Sequence, residues 1–68
     1  MQTGIVKMWD KQKGFGFITS YDDDDDLFVN INDLHPNLKQ AGLREGQAVK
    51  FDTRSDMKGD KAVNVRLK

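Results

Sequence analysis

Lys13-Gly14-Phe15-Gly16-Phe17-Ile18 is the stretch on which the fold turns. A turn-forming cluster, Lys11 to Gly14, gives way to residues rich in aromatic and β-branched side chains. That change reads as a strand over Phe15 to Thr19. Working outward, Thr3 to Asp10 reads as a strand before it. Leu27 to Asn30 reads as a strand after it, beyond a turn made of the run Asp22 to Asp26. A long connection, Ile31 to Gly46, holds His35-Pro36-Asn37 and one helical turn. Ala48 to Arg54 and Lys61 to Leu67 read as two further strands joined by a turn over Ser55 to Asp60. No window carries a sustained apolar stripe at helical spacing.

Five short strands in 68 residues are too few for an ordinary two-layer sandwich. An open sheet would leave a face and two edges bare. Closure into a small barrel removes both defects. The expected architecture is one all-β domain over residues 1–68, a five-stranded antiparallel closed barrel. Strand alternation assigns its interior. Val49, Phe51 and Thr53 share a face, against Lys50, Asp52 and Arg54. Val63, Val65 and Leu67 share a face, against Ala62, Asn64 and Arg66. Gly16 with Ile18, Leu27 with Val29, and Val6 with Leu34 complete the predicted core.

Composition narrows the chemistry. A chain of this length buries only about 60% of its unfolded surface. It has no cysteine, hence no disulfide, thiolate metal site or thiol nucleophile, and one histidine, His35. Ser20 and Ser55 have no base partner in view, so no catalytic residues, cofactor or metal are expected. The aspartate run lacks the glycine and the later glutamate of a calcium loop and reads as a solvated turn. No apolar run spans a bilayer and no secretory pattern opens the chain, so a cytoplasmic location is expected, with no membrane partner. The net charge of zero is a cancellation. Residues 1–20 sum to +2, residues 21–36 to −6 and residues 37–68 to +4. A basic surface can therefore coexist with the acidic run.

The assignment leaves an aromatic remainder. With Ile18 inside, Phe15 and Phe17 face out. With Leu27 and Val29 inside, Phe28 faces out on the next strand, within cross-strand reach. The opposite assignment puts the three rings in the core and exposes Ile18, Leu27 and Val29, with little relief. Exposed phenylalanine clusters mark contact surfaces. Unpaired bases are flat partners that suit phenyl rings ringed by lysine. Lys7 and Lys13 lie beside the rings in this reading, while Lys58 and Lys61 enclose the last turn and could track a phosphodiester chain.

These residues resemble the bacterial cold-shock proteins. Gly4-Ile5-Val6-Lys7 followed by Lys13 to Ile18 looks like that family's first ribonucleoprotein motif. Leu27-Phe28-Val29-Asn30-Ile31 looks like an altered second motif. Glu45 to Phe51 and Ala62 to Val65 are similar to its fourth and fifth strands. The resemblance runs the length of the chain. It implies an oligonucleotide-binding (OB) barrel that binds single-stranded DNA and RNA on an aromatic face and acts as an RNA chaperone. It gives Phe15, Phe17 and Phe28 the central stacking positions, with Lys7 and Lys13 beside them.

Departures are equally specific. Met8-Trp9-Asp10 stands where the family has Trp-Phe-Asn. A step along a strand reverses the face, so Trp9 is expected to be partly buried unless a bulge turns it outward. Asn30 stands for the family's histidine and Ile31 for its phenylalanine. Met8, Trp9, Asn30 and Ile31 remain candidate contact residues, with fewer stacked bases and lower affinity expected than for a typical member. The alternative is a protein–protein adaptor that has abandoned nucleic acid. A monomer is the expected state, with the long loop leaving strand exchange into a dimer open.

Overall fold

In the computed structural model, residues 1–22, 25–57 and 59–68 are described, with Asp56 described by its backbone. Five strands form: β1 (Gln2–Asp10), β2 (Phe15–Ser20), β3 (Asp26–Asn30), β4 (Ala48–Asp56) and β5 (Gly59–Leu67). They close into a barrel in the order β1-β2-β3-β5-β4. Four of the seams are antiparallel, as expected. The β3–β5 seam is parallel, through Phe28 and Lys61. It has to be, because the crossover from β3 through the long connection and β4 returns β5 in the direction of β3. The long connection holds two short 3-10 turns, Ile31–Asp33 and Pro36–Leu38. It is tied to the barrel by His35 N–H donating to the Val65 carbonyl at 2.7 Å. Among the described residues no helix is long and apolar enough to cross a membrane.

The core holds Val6, Ile18, Leu27, Val29, Leu34, Leu43, Val49, Phe51, Ala62 and Val65. The assignments for β2 and β3 hold: Gly16, Ile18, Leu27 and Val29 are buried. Those for β5 need correction. Val65 is inside, but so is Ala62, while Val63 is half-buried and Leu67 is exposed. The cause is a bulge. Lys50 pairs with Arg66, but Asp52 pairs with Val63, so β5 spends one residue more than β4. Asn64 absorbs it with a φ of 53°, a left-handed conformation that asparagine tolerates better than most side chains. Alternation reverses there, and Ala62 replaces Val63 in the interior. Thr53 is exposed, correcting its place in the predicted interior: the pairing of β4 with β1 ends at Phe51, so no strand covers Thr53 on that side. Asn64→Gly should therefore leave the melting temperature near that of the parent. Asn64→Val should cost about 1–2 kcal/mol, as a β-branched residue is forced into the left-handed region. Equal thermal melts for the two variants would contradict this account of β5.

A second bulge sits in β1. Val6 pairs with Ile18 and Met8 with Phe17, leaving Lys7 as the extra residue. Met8 is thereby turned outward beside Phe17, and Trp9 is set opposite Gly16. The bulge thus does the reverse of turning Trp9 to solvent. The indole is half-buried and packs against the core between two glycines. A Cβ on Gly16 would lie 2.9 Å from Trp9 Cε3, and one on Gly42 2.7 Å from Trp9 Nε1. Gly42 also has a φ of +71°, so it both turns the chain and clears the ring. Leu43, absent from the predicted core, is carried inside by the same loop.

Candidate nucleic-acid interface

β2 and β3 present the three rings on one surface because their other faces are spent on the core. Gly16 and Ile18 face inward on β2, and Leu27 and Val29 on β3. Phe15 and Phe17 consequently share the outer face with Asp26, Phe28 and Asn30. Phe17 and Phe28 are direct cross-strand partners, and Phe15 pairs with Asn30. The Phe28 ring is central. Its centroid lies 5.7 Å from Phe15, nearly stacked at 30°, and 5.9 Å from Phe17, edge-on at 74°. Phe28 is 37% exposed and Met8 38%. Phe15 and Phe17 are half-buried, chiefly against their neighbours. A continuous aromatic platform results, with the Met8 thioether at its margin.

The platform opens into a groove of about 750 Å³ lined by Phe17, Phe28, Asn30, Asn32, Asp33, Met57, Gly59, Asp60 and Lys61. The parallel seam brings the last hairpin alongside the rings here. Sequence reading missed Met57 and Asp33 because their proximity depends on that closure, which no local pattern announces. Asn30 caps the Ile31–Asp33 turn, its Oδ1 accepting from Asn32 N–H at 3.0 Å. Asn30 itself lines the groove. Ile31 packs partly on the core and meets Gly14, so it backs the platform and offers only part of its surface.

The charged residues sort differently from the sequence reading. Lys13 is exposed and has no ion pair among the described residues. Lys7, expected as a basic residue beside the rings, is engaged: its Nζ donates to Asp26 Oδ2 at 2.7 Å. Lys61 Nζ lies 3.4 Å from Asp33 Oδ2 and is thereby held at the groove wall. Lys58 falls outside the described residues, as do Asp23 and Asp24 of the aspartate run. Asp10 Oδ1 accepts from the N–H groups of Gln12 and Lys13 at 3.0 Å, so its charge organises the β1–β2 turn. His35 sits at its turn as expected, with Nδ1 accepting from Asn37 N–H at 3.3 Å.

Among the described residues, the Asp26 carboxyl has a shifted titration. The hydrogen bond from Lys7, then that from Thr19 Oγ1 at 2.9 Å, hold its pKa below the ordinary 3.8. A lowered folded-state value means that the interaction stabilises the fold above pH 3.8. It is lost as pH falls through the folded value. Asp26→Asn should therefore narrow its stability gap from the parent as the solution is acidified from neutral to below that range. Melting curves recorded across the range check this, and a constant gap would rule out the pairing.

Comparison with known proteins accords with this geometry. Residues 2–68 match the family described as the 'Cold-shock' DNA-binding domain. A cold shock-like protein of Aquifex aeolicus is 44% identical over 64 residues, covering 94% of this chain and 90% of that protein. Cold shock-like protein CspJ of Salmonella typhimurium is 43% identical over 63 residues, and CspB of Yersinia pestis 44% over 63 residues. Each covers 93% of this chain and 89% of the relative. With its barrel, its outward rings and this full-length likeness, the chain belongs to the cold-shock domain family, a family of nucleic-acid-binding OB barrels.

Proposed function

We propose that this protein binds single-stranded RNA and DNA by stacking unpaired bases on Phe15, Phe17 and Phe28, and that it acts as an RNA chaperone. The observation that carries the reading is the central, exposed Phe28 ring in contact with two others, Phe15 near-stacked and Phe17 edge-on. Bases leave each other's faces for the rings, so hairpins are disfavoured without any bond being made or broken. The protein works as a cytoplasmic monomer, without enzymatic turnover. Lys13 and Lys61 add phosphate attraction at the margins. Asn30 donates to base edges, and Met8 and Ile31 supply apolar contact without a π-face. Lys7 reaches phosphate only by exchanging its bond to Asp26. Trp9 supports the platform from beneath. Fewer stacked bases and an engaged lysine make the affinity lower than that of a typical relative.

Anisotropy of a labelled oligothymidine, with duplex DNA as control, tests this. It is preferable to tryptophan emission because Trp9 lies under the platform. Binding of the single strand, weaker than nanomolar at moderate salt, is the expected result. The logarithm of the binding constant should fall with that of salt by about 0.7 per phosphate neutralised. A folded protein that binds no single strand would transfer the aromatic face to a protein partner.

A further inference from the structure

Four cations on the outer face of β4 and β5 are arranged in a way that stability does not explain. Lys50 is the direct cross-strand neighbour of Arg66, and Arg54 of Lys61. Like charges placed directly opposite destabilise an antiparallel pair, whereas opposite charges would stabilise it. Lys50, Arg54 and Arg66 are exposed. Among the described residues only Lys61 of the four holds an ion pair. Asp52 is the acid that falls between the two pairs on β4. It faces Val63, and Asn64 Nδ2 donates to it at 3.4 Å.

The row begins where the platform ends. Lys61 pairs with Phe28 across the β3–β5 seam and lines the ring groove. From there to Arg66 the strand covers roughly 15 Å. At the far end Arg66 lines a second groove of about 320 Å³ with His35, Asn37, Leu38 and Leu67. Two guanidinium groups in the row favour phosphate, whose oxygens match their forked donors.

We propose that a single strand longer than the platform continues from the Phe28 groove over β4 and β5, its phosphates tracked by Lys61, Arg54, Lys50 and Arg66. The proposal rests on the base-stacking reading above and extends its binding site to a second face of the barrel. Continuity at Lys61 selects the occupant: the same polyanion that stacks on the rings leaves them at the first cation of the row.

Two oligothymidines separate the surfaces, one of about six nucleotides that covers the platform and one of about sixteen that reaches beyond it. The exposed pair is replaced as Lys50→Gln with Arg66→Gln. On the longer strand this variant should lower the salt slope by about 1.4, two phosphates' worth. Binding of the shorter strand should be unchanged. Asp52→Asn should act in the opposite sense, tightening the longer strand alone. Parent-like binding of the longer strand by the double variant overturns the path, as does an equal loss on both lengths. In either case a loss of both strands in Phe28→Ala leaves the platform standing. If Phe28→Ala binds both strands like the parent, the stacking reading fails and the path fails with it.

Discussion

Phe28→Ala should weaken single-strand binding by at least tenfold while leaving the protein folded. Stacking of one base on an aromatic side chain is worth about 1–3 kcal/mol by alanine substitution. Phe28 touches both other rings, so its removal also leaves Phe15 and Phe17 without the neighbour that fixes their tilt. The effect on affinity therefore belongs in the upper part of that range. The cost to the fold is smaller. The ring is 37% exposed, and an aromatic pair adds only about 0.5–1.5 kcal/mol beyond its buried area. A melting temperature a few degrees below the parent is expected, together with a near-complete loss of anisotropy change at low protein concentration. Phe28→Trp serves as the reciprocal test, since a larger π-face in the same place should bind at least as tightly as the parent. Affinity within twofold of the parent for the alanine variant would remove the platform from the mechanism.

The largest effect on stability should come from Phe51→Ala. Phe51 is wholly buried. It sits on β4 between Lys50 and Asp52, opposite the place where β5 takes its extra residue. One edge of its ring lies so close to Gly4 that a Cβ there would be 3.1 Å from Phe51 Cε1. Its neighbours come from several strands, and none can collapse into the space without breaking register. Truncation of a buried phenylalanine costs about 3–5 kcal/mol. At about 0.05–0.15 kcal/mol per residue, a domain of this size has about 3–10 kcal/mol in total. The variant should thus be substantially unfolded at physiological temperature. Phe51→Leu should keep a cooperative transition. Urea unfolding followed by Trp9 emission reads both, because the indole is packed against this core. A Phe51→Ala urea midpoint close to that of the parent would mean that the barrel is held together elsewhere.

How much of the barrel can be read in advance depends on the strand. In β2 and β3 the period of two runs unbroken, so Ile18, Leu27 and Val29 identify the inside, and the three rings follow to the outside by subtraction. In β1 and β5 single extra residues, Lys7 and Asn64, reverse the alternation midway. Nothing in the local pattern at Lys7 separates a bulge from a regular step, so counting from Val6 alone would send Trp9 outward. The expectation of a partly buried Trp9, drawn from comparison with the family's pattern, is the one that holds. At Asn64 there is a weak signal, since asparagine is among the few residues at ease with a positive φ. On that residue type alone, however, Ala62 could not be preferred over Val63 for the core.

Charge was the least legible feature. Lys7 and Asp26 are 19 positions apart, and Lys61 and Asp33 28, so their pairing is a product of how the strands are stacked around the barrel. Composition and alternation determined the number of strands, the closed all-β form and the identity of the outward-facing rings, because side-chain direction in a regular strand is a local property of the backbone. Which lysines are held by carboxylates and how the last hairpin comes to wall the ring groove were decided by tertiary structure alone. Each depends on bulges and on the β3–β5 seam, where residues distant in the chain are brought together by closure of the barrel.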